Sequence, residues 1–289
     1  MIPAIDSYSW HRAFGHHYPD LEEPAAPMTL AEMVALASRL GAKGLALESC
    51  FFPGADENWA RRAGGVLAQA GLHPVWAWGH PRGLDSGRNR AALDDLIRHI
   101  GIARALGAPV MRICAGGRAT RPATWAGHRA MLLPMLREAA AAAQDADLTL
   151  ALENHIDLTT PELLELVETV ASPALGICLD TANQLRLFED PLEAARAMAP
   201  WVRTTHVKDI VAWKGDPKTF AFWPSVPAGT GLVPLAEILT LLDRQGYDGL
   251  LALEIDFLKP GSAADETGAL ARGLDWLAAK PWLSAAATG

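Results

Sequence analysis

The chain has 289 residues, half of them hydrophobic and a fifth charged, with a formal net charge of −8, a balance that disfavours nucleic acid as a partner. Three cysteines without a CxxC pair favour a reducing compartment over a disulfide framework or a structural zinc site. The first residues, MIPAIDSYSW, do not resemble a signal peptide, and no apolar run approaches a membrane span of roughly 20 residues, so we expect a cytoplasmic protein that does not bind membranes.

Eight short apolar runs indicate β-strands. Most are nearly continuous in apolar character, which is typical of parallel strands buried on both faces. In chain order the runs are IPAID (2–6), GLALE (44–48), PVWAW (74–78), PVMRI (109–113), LTLALE (148–153), LGICLD (175–180), TTHVK (204–208) and LLALE (250–254).

Amphipathic segments with helix-capping signals lie between these runs. The first opens at Thr29, has Glu32 three residues later as a capping box, and ends at Gly41. Another has Thr160 as its predicted cap, with Pro161 at the first helical position. Further helical segments are predicted at 121–146, 189–199, 233–246 and about 262–280. Eight strand–helix units predict one (β/α)8 TIM barrel domain over 1–289, with a doubly wound open sheet as the alternative.

The phrase LALE recurs in LALESC (45–50), LALENH (150–155) and LALEID (251–256). Its glutamates, Glu48, Glu153 and Glu254, fall at the ends of predicted strands two, five and eight. A single strand can end on a polar residue simply because the chain leaves the core. Barrels of this kind build their active sites at the carboxyl ends of the strands, so three such glutamates favour a functional site.

Four polar residues close predicted strands five to eight: Glu153, Asp180, His206 and Glu254. Neighbouring strand ends converge on one mouth, where unpaired carboxylates would repel and raise each other's pKa. A divalent cation removes this repulsion. Three oxygen donors and one nitrogen donor indicate one Mn²⁺, Mg²⁺ or Co²⁺, with Zn²⁺ also possible. Taken alone, His206 would be interpreted as a structural histidine.

Other residues near strand ends are candidate substrate contacts. Burying an unpaired guanidinium is expensive, so we expect Arg112 either to pair with Glu48 or to bind a substrate carboxylate. Lys208 could bind a substrate oxygen, and Asp209 could position Lys208 or cap the next element. The further candidates are Trp10 and His11 after strand one, His80 after strand three, and His155, which could orient Glu153. Trp213, Phe222 and Trp223 are interpreted as a loop lid or a subunit contact.

Five motifs, taken in order and spacing, resemble the xylose-isomerase-like TIM barrels. They are ALENH (151–155), CLDTAN (178–183), THVKD (205–209), AGTGLVP (228–234) and ALEID (252–256). This family includes sugar isomerases, ketose 3-epimerases, inosose dehydratases and endonuclease IV. The resemblance implies that Glu153, Asp180, His206 and Glu254 are metal ligands and that the two glutamates form an acid/base pair. The acidic charge disfavours the endonuclease branch.

Two features modify this resemblance. The ketose 3-epimerases usually carry a histidine three residues after the strand-six aspartate, where this chain has Asn183. Asparagine can hydrogen-bond a substrate hydroxyl but cannot carry a proton. The segment IDSYSWHRAFG (5–15) is similar to sugar-acid lyases of the same family, including decarboxylases of oxo-sugar acids such as 3-oxo-isoapionate.

The predicted function is therefore a divalent-metal-dependent isomerase or epimerase of a small sugar or keto-sugar. In this mechanism the glutamates transfer a proton through a metal-stabilised enediolate. The alternative is a lyase of the same fold, either a decarboxylase of an oxo-sugar acid or an inosose-type dehydratase. A further alternative is a non-catalytic sugar-binding or partner subunit. The resemblance implies a homodimer or homotetramer.

Overall fold

The computed structural model describes residues 1–15, 27–216 and 222–280. Eight parallel strands form a closed barrel in which β1 pairs with both β2 and β8. The strands are β1 (Ile2–Asp6), β2 (Gly44–Glu48), β3 (His73–Ala77), β4 (Val110–Ile113), β5 (Thr149–Glu153), β6 (Leu175–Asp180), β7 (Val202–Val207) and β8 (Leu250–Leu253). The closed sheet confirms the (β/α)8 barrel and excludes the open-sheet alternative.

A helix follows each strand along the chain. The helices are α1 (Leu30–Arg39), α2 (Glu57–Gln69), α3 (Arg90–Leu106), α4 (Trp125–Asp145), α5 (Thr160–Val170), α6 (Pro191–Met198), α7 (Leu235–Arg244) and α8 (Glu266–Ala278). Within the three described ranges, no helix combines the length and apolar character that crossing a membrane requires.

The capping signals identified one helix start correctly and misplaced another by one residue. Thr29 and Glu32 form the expected capping box at α1. At α5 the N-cap is Thr159 rather than Thr160, because the third helical residue, Glu162, accepts from the Thr159 backbone N–H. Pro161 is consequently the second helical residue, where a missing N–H is equally harmless.

The segment between β7 and α7 carries structure that the sequence patterns did not predict. Asp209–Ile210 and Ser225–Val226 pair as a two-stranded antiparallel ribbon. Trp213, from the expected lid, is partly exposed and its N–H bonds to the Phe222 carbonyl at 2.7 Å. This ribbon lies at the carboxyl end of the barrel, directly after the strand that carries His206.

The alternation of side chains along each strand explains the LALE phrase. Its alanine and glutamate lie on one face of the strand and its leucines on the other, since the side-chain period is two. Ala46 and Ala252 belong to a small apolar cluster with Ala4 and Val75 that is separate from the large core. The leucines belong to that large core, which the helices cover. This alternation therefore directs the side chain of each glutamate toward the inside of the barrel.

Candidate metal centre and active-site mouth

Three side chains at the barrel mouth have the arrangement of a metal centre. One ligand atom each from Glu153, Asp180 and His206 lies within 4.8 Å of the others, and all three residues are buried. The strand register explains this, because Asp180 on β6 lies opposite His206 on β7. Glu254 is not in this tight group, although its Oε2 lies 3.0 Å from His206 Nδ1. It follows β8 directly.

The hydrogen bonding of these groups fits a bound cation. Asp180 Oδ2, His206 Nδ1 and Glu254 Oε2 are buried and make no hydrogen bond of good geometry with any residue that the structure describes. Their close neighbours are charged groups of the same cluster: Lys208 Nζ lies 2.9 Å from Asp180 Oδ2 and 3.0 Å from Glu254 Oε2, which is itself 3.0 Å from His206 Nδ1. Carboxylate and imidazole donors together suit a divalent cation, which would satisfy all three atoms. A buried Glu–Asp–His triad could therefore hold a metal ion.

Small residues on neighbouring strands make room for the large polar side chains. In the parallel pairing, Ala252 lies beside His206, Ala151 beside Arg112, and Ala46 beside Asp6. These alanines are the second letters of the three LALE phrases. Each phrase thus supplies a glutamate to the mouth and a space for a polar neighbour below it.

The ammonium group of Lys208 lies among three carboxylates of the mouth. Its Nζ lies 2.9 Å from Asp180 Oδ2, 3.0 Å from Glu254 Oε2 and 2.9 Å from Asp256 Oδ2. Burial opposes the charge on Lys208, but Asp180, Asp256 and Glu254 outweigh it and raise the pKa of the amine well above its usual range. The ammonium group is therefore charged and fixed in place.

Arg112 bridges the two sides of the mouth. It donates to Glu48 Oε1, and its Nε lies 3.6 Å from Glu153 Oε2. The pairing with Glu48 is one of the two alternatives that the sequence suggested. Burial raises the pKa of Glu48 to about 8, with Arg112 opposing the shift. Glu153 shows the reverse balance: burial raises its pKa, but His206 and Arg112 outweigh this and lower it well below its usual range.

The mouth carries an excess of negative charge. Its six carboxylates are Asp6, Glu48, Glu153, Asp180, Glu254 and Asp256, its basic side chains are Arg112, Arg186 and Lys208, and none is more than 8% exposed. With His206 in the neutral form that an imidazole needs to bind a metal, and all others charged, three negative charges are uncompensated; a proton on His206 would leave two. With Glu48 protonated, two remain. Such an excess is unfavourable in a poorly solvated interior, and one divalent cation would balance most or all of it.

His206 is held from both sides by acidic groups. Burial lowers the pKa of His206, but Cys178, Glu254 and Glu153 outweigh this and raise it well above the usual range. Its Nε2 lies 3.3 Å from Asp6 Oδ2, and its Nδ1 lies 3.5 Å from Glu153 Oε1. One ring nitrogen thus faces Asp6 while the other faces the candidate metal ligands.

Sequence analysis missed three residues of this site: Asp6, Asp256 and Arg186. Asp6 ends β1, so the strand-end rule applied to strands five to eight would have found it. Asp256 lies two residues after Glu254, but it follows the strand, where alternation no longer applies. Arg186 lies in the 3-10 turn Asn183–Leu187, which has no periodic signal. It donates to Asp256 Oδ2 at 2.8 Å and to Asn183 Oδ1 at 3.0 Å.

The predicted substrate contacts occupy different environments. Asn183 is buried and donates to Glu153 Oε1 at 3.3 Å. His155 Nδ1 is 2.9 Å from the Gly116 carbonyl, which ties its ring to the loop after β4, and its charge helps to lower the pKa of Glu153. His11 is buried and stacks on Tyr8. His80 is partly exposed and stacks on Trp78, and Trp10 is buried with no hydrogen bond from Nε1 to any part of the chain that is described.

Asp209 differs from the other candidates because its carboxylate faces the backbone. Oδ1 accepts from the N–H groups of Ile210 and Val233, and Oδ2 from those of Gly229 and Gly231. These four bonds use its acceptor capacity. Asp209 organises the turn before α7, which agrees with the second of its two expected roles, the capping of the next element. A substrate contact by Asp209 stays a prediction.

Comparisons with known proteins support the barrel fold. The model of the family described as xylose isomerase-like TIM barrel matches residues 34–280. The chain belongs to this family. With a D-psicose 3-epimerase from Clostridium cellulolyticum H10, solved with D-tagatose, the TM-score is 0.76 over 98% of this chain and 99% of that one. The sequence identity of 15% means that this likeness shows the fold alone.

Two curated relatives match parts of the chain. A stretch of 105 residues is 33% identical to the uncharacterised protein YihM of Escherichia coli K12, covering 36% of this chain and 32% of that protein. A stretch of 150 residues is 29% identical to the 3-oxo-isoapionate decarboxylase of Pectobacterium atrosepticum, covering 52% of this chain and 53% of that enzyme. The matches span about a third and about half of these relatives.

Proposed function

We propose that the chain is a divalent-metal-dependent isomerase or epimerase of a small sugar or keto-sugar. The observation that carries this proposal is the position of two glutamates beside one candidate metal centre. Glu153 Oε1 lies 3.5 Å and Glu254 Oε2 lies 3.0 Å from the same atom, His206 Nδ1. Reactions that remove a proton from carbon and return it elsewhere need two such acid/base groups.

Glu153, Asp180, His206 and Glu254 would hold the cation. When bound, it would supply Lewis-acid stabilisation of the negative charge that develops on the substrate carbonyl oxygen. One glutamate takes the proton from the carbon beside the carbonyl, which gives an enediolate. The other glutamate returns the proton. Return to the same carbon from the opposite face is epimerisation, and return to the neighbouring carbon is isomerisation.

Further side chains of the mouth support this chemistry. Lys208 is a charged donor beside Asp180 and Glu254; in the proposed complex a substrate oxygen would replace one of these carboxylates as its acceptor once they bind the cation. Asn183 donates an N–H to Glu153 and has a second N–H for a substrate oxygen. Both are buried, so water competes poorly for these contacts.

The test combines metal analysis with proton exchange. Purified protein should contain about one Mn, Mg, Co or Zn per chain, and EDTA should abolish activity. Candidate ketoses incubated with the enzyme in D₂O should gain carbon-bound deuterium without losing water or CO₂, as NMR would detect. A protein that binds no divalent cation and is indifferent to EDTA would contradict the proposal.

A decarboxylase of an oxo-sugar acid is the second candidate. Two observations favour it: the 29% identity to the 3-oxo-isoapionate decarboxylase, and a mouth that contains Arg112, Arg186 and Lys208. Loss of CO₂ needs one proton donor rather than two. Release of CO₂ from a 3-oxo sugar acid, without exchange into ketoses, would replace the first candidate with the second.

A further inference from the structure

Arg186 connects two loops at the edge of the mouth. Its side chain is 4% exposed, and the guanidinium donates through one terminal nitrogen to Asn183 Oδ1 at 3.0 Å and through the other to Asp256 Oδ2 at 2.8 Å. Asn183 follows β6, whereas Asp256 follows β8. A planar guanidinium with several fixed donors can make both bonds at once, which a single ammonium group cannot do with the same geometry.

The bond from Arg186 decides which way the Asn183 amide points. An asparagine side chain has one acceptor oxygen and one donor nitrogen, and a guanidinium can only donate. Because Arg186 holds the oxygen, the amide nitrogen faces Glu153 and donates to its Oε1 at 3.3 Å. The reverse orientation would place the amide oxygen against the Glu153 carboxylate, where two acceptors would repel.

The same arginine closes a ring of side chains around the candidate metal centre. From Arg186 the ring continues through Asp256 and Lys208 to Glu254, with contacts of 2.8, 2.9 and 3.0 Å. His206 lies between Glu254 and Glu153 and returns the ring to Asn183. Arg186 is therefore connected to both proposed acid/base groups: to Glu153 through Asn183, and to Glu254 through Asp256 and Lys208.

We propose that Arg186 is a positioning residue: it fixes the donor side of Asn183 on Glu153 and so holds Glu153 ready to bind a divalent cation. This inference rests on the proposed function, in which Glu153 is a ligand. It assigns a role to a residue that does not touch the metal or the acid/base atoms. Groups that orient metal ligands in this way typically change metal affinity about 10- to 100-fold when they are altered.

The test uses Mn²⁺ alone as the probe, titrated into metal-free protein by calorimetry or by electron paramagnetic resonance. Arg186→Lys keeps the positive charge, so the electrostatic attraction of the mouth for a cation stays the same. We expect the Mn²⁺ dissociation constant to rise about tenfold because lysine cannot hold both Asn183 and Asp256. Because Arg186→Lys keeps the charge, a weaker affinity in this variant would report the loss of the two hydrogen bonds.

A double-mutant cycle shows whether Arg186 acts through Asn183. Asn183→Ala should weaken Mn²⁺ binding by a similar factor, and adding Arg186→Lys to it should cause no further loss. Arg90→Lys is the matched control, because the guanidinium of Arg90 is also held by a carboxylate, Glu138, but on the outer helices. Its Mn²⁺ affinity should equal that of the wild type.

The outcomes separate this inference from the proposed function. Wild-type affinity in Arg186→Lys, or fully additive losses in the double variant, would overturn the role of Arg186 while the metal site stands. Absence of Mn²⁺ binding by the wild-type protein would overturn the proposed function instead. Circular dichroism checks folding, and Arg186→Gln replaces the lysine variant if that one unfolds. Removing a positive charge would by itself strengthen Mn²⁺ binding, so weaker binding in Arg186→Gln supports the positioning role and unchanged or stronger binding overturns it.

Discussion

Asp6 Oδ2 lies 3.3 Å from His206 Nε2, at the point where β1 and β7 reach the barrel mouth. Both side chains are buried. A carboxylate in this position holds the hydrogen on Nε2, so a cation, which needs the neutral ring, would bind through Nδ1, the nitrogen that faces Glu153 and Glu254. The first strand of the barrel thereby orients a side chain on the seventh, although the sequence gives no hint of the pairing.

Asp6→Asn should weaken Mn²⁺ binding by about 10- to 100-fold, since asparagine presents an N–H group where the imidazole needs an acceptor. Calorimetric titration of metal-free protein measures this. Asp6 also accepts from the Tyr8 N–H, so the control is Asp56→Asn, which alters a comparable cap at α2 far from the mouth. Equal Mn²⁺ affinity in the Asp6 and Asp56 variants would remove Asp6 from the site.

Glu153→Gln and Glu254→Gln should each reduce deuterium incorporation into a ketose substrate by about 10²- to 10⁴-fold, because an amide cannot accept or return the proton. NMR of the sugar after incubation in D₂O gives the rate. Glu48→Gln is the matched control: it is also a buried LALE glutamate, but it pairs with Arg112, whereas Glu153 and Glu254 lie beside His206 Nδ1. Its loss should be much smaller. Full activity in both test variants would refute the acid/base assignment.

The barrel could be predicted from the sequence because each strand is a continuous apolar run and each helix has local capping signals. Both features depend only on residues a few positions apart along the chain. The ends of the strands were less accurate: β8 stops at Leu253, so Glu254 is the first residue beyond the strand. Its carboxylate nevertheless faces the mouth, where its Oε2 contacts His206 and Lys208.

The partners of the candidate ligands could not be predicted in the same way. Arg186 lies 70 residues from Asp256, and Lys208 lies 48 residues from it, so no sequence period relates them. Asp209 differs, because its partners lie on the next loop along the chain. Its sequence allowed either a role with Lys208 or the capping of the next element, and its carboxylate accepts from the backbone of that loop.

Arg112→Met should lower the free energy of unfolding by about 3 kcal/mol, because it leaves two buried acidic groups, Glu48 and Glu153, without the cation between them. The double variant Glu48→Gln/Arg112→Met should recover part of this loss, since the amide at position 48 cannot ionise. Urea denaturation followed by fluorescence measures all three proteins. A double variant less stable than Arg112→Met would contradict this account, because it would mean that burying Glu48 without Arg112 costs little.

Asp209→Ala should destabilise the turn before α7 and lower the free energy of unfolding by about 3 kcal/mol, since four backbone N–H groups lose a charged acceptor. Hydrogen exchange should accelerate at Gly229, Gly231 and Val233 in particular. Gly231 fits this arrangement because a side-chain carbon there would lie 2.1 Å from Asp209 Oδ1. Asp243→Ala, on α7, serves as the control and should leave exchange in this turn unchanged.

His99 should make the protein sensitive to mild acid. Its Nδ1 accepts from Trp76 Nε1 at 3.0 Å, which requires the neutral ring, and burial lowers the pKa of His99 from 6.5 to about 4. Between pH 6.5 and 4, His99 is protonated in the unfolded chain but stays neutral in the folded protein. Stability contributed by the neutral ring is therefore present above pH 6.5 and is lost as the pH falls toward 4, by up to about 3 kcal/mol.

The variant His99→Gln isolates this contribution, because glutamine keeps an acceptor for Trp76 but does not titrate. The free energy of unfolding of both proteins should be measured by urea denaturation at half-unit steps from pH 7.5 to 4. Groups common to both proteins cancel in the difference, so the wild type should lose stability relative to the variant only below pH 6.5. Parallel curves over the whole range would mean that His99 is not held neutral by its burial against Trp76.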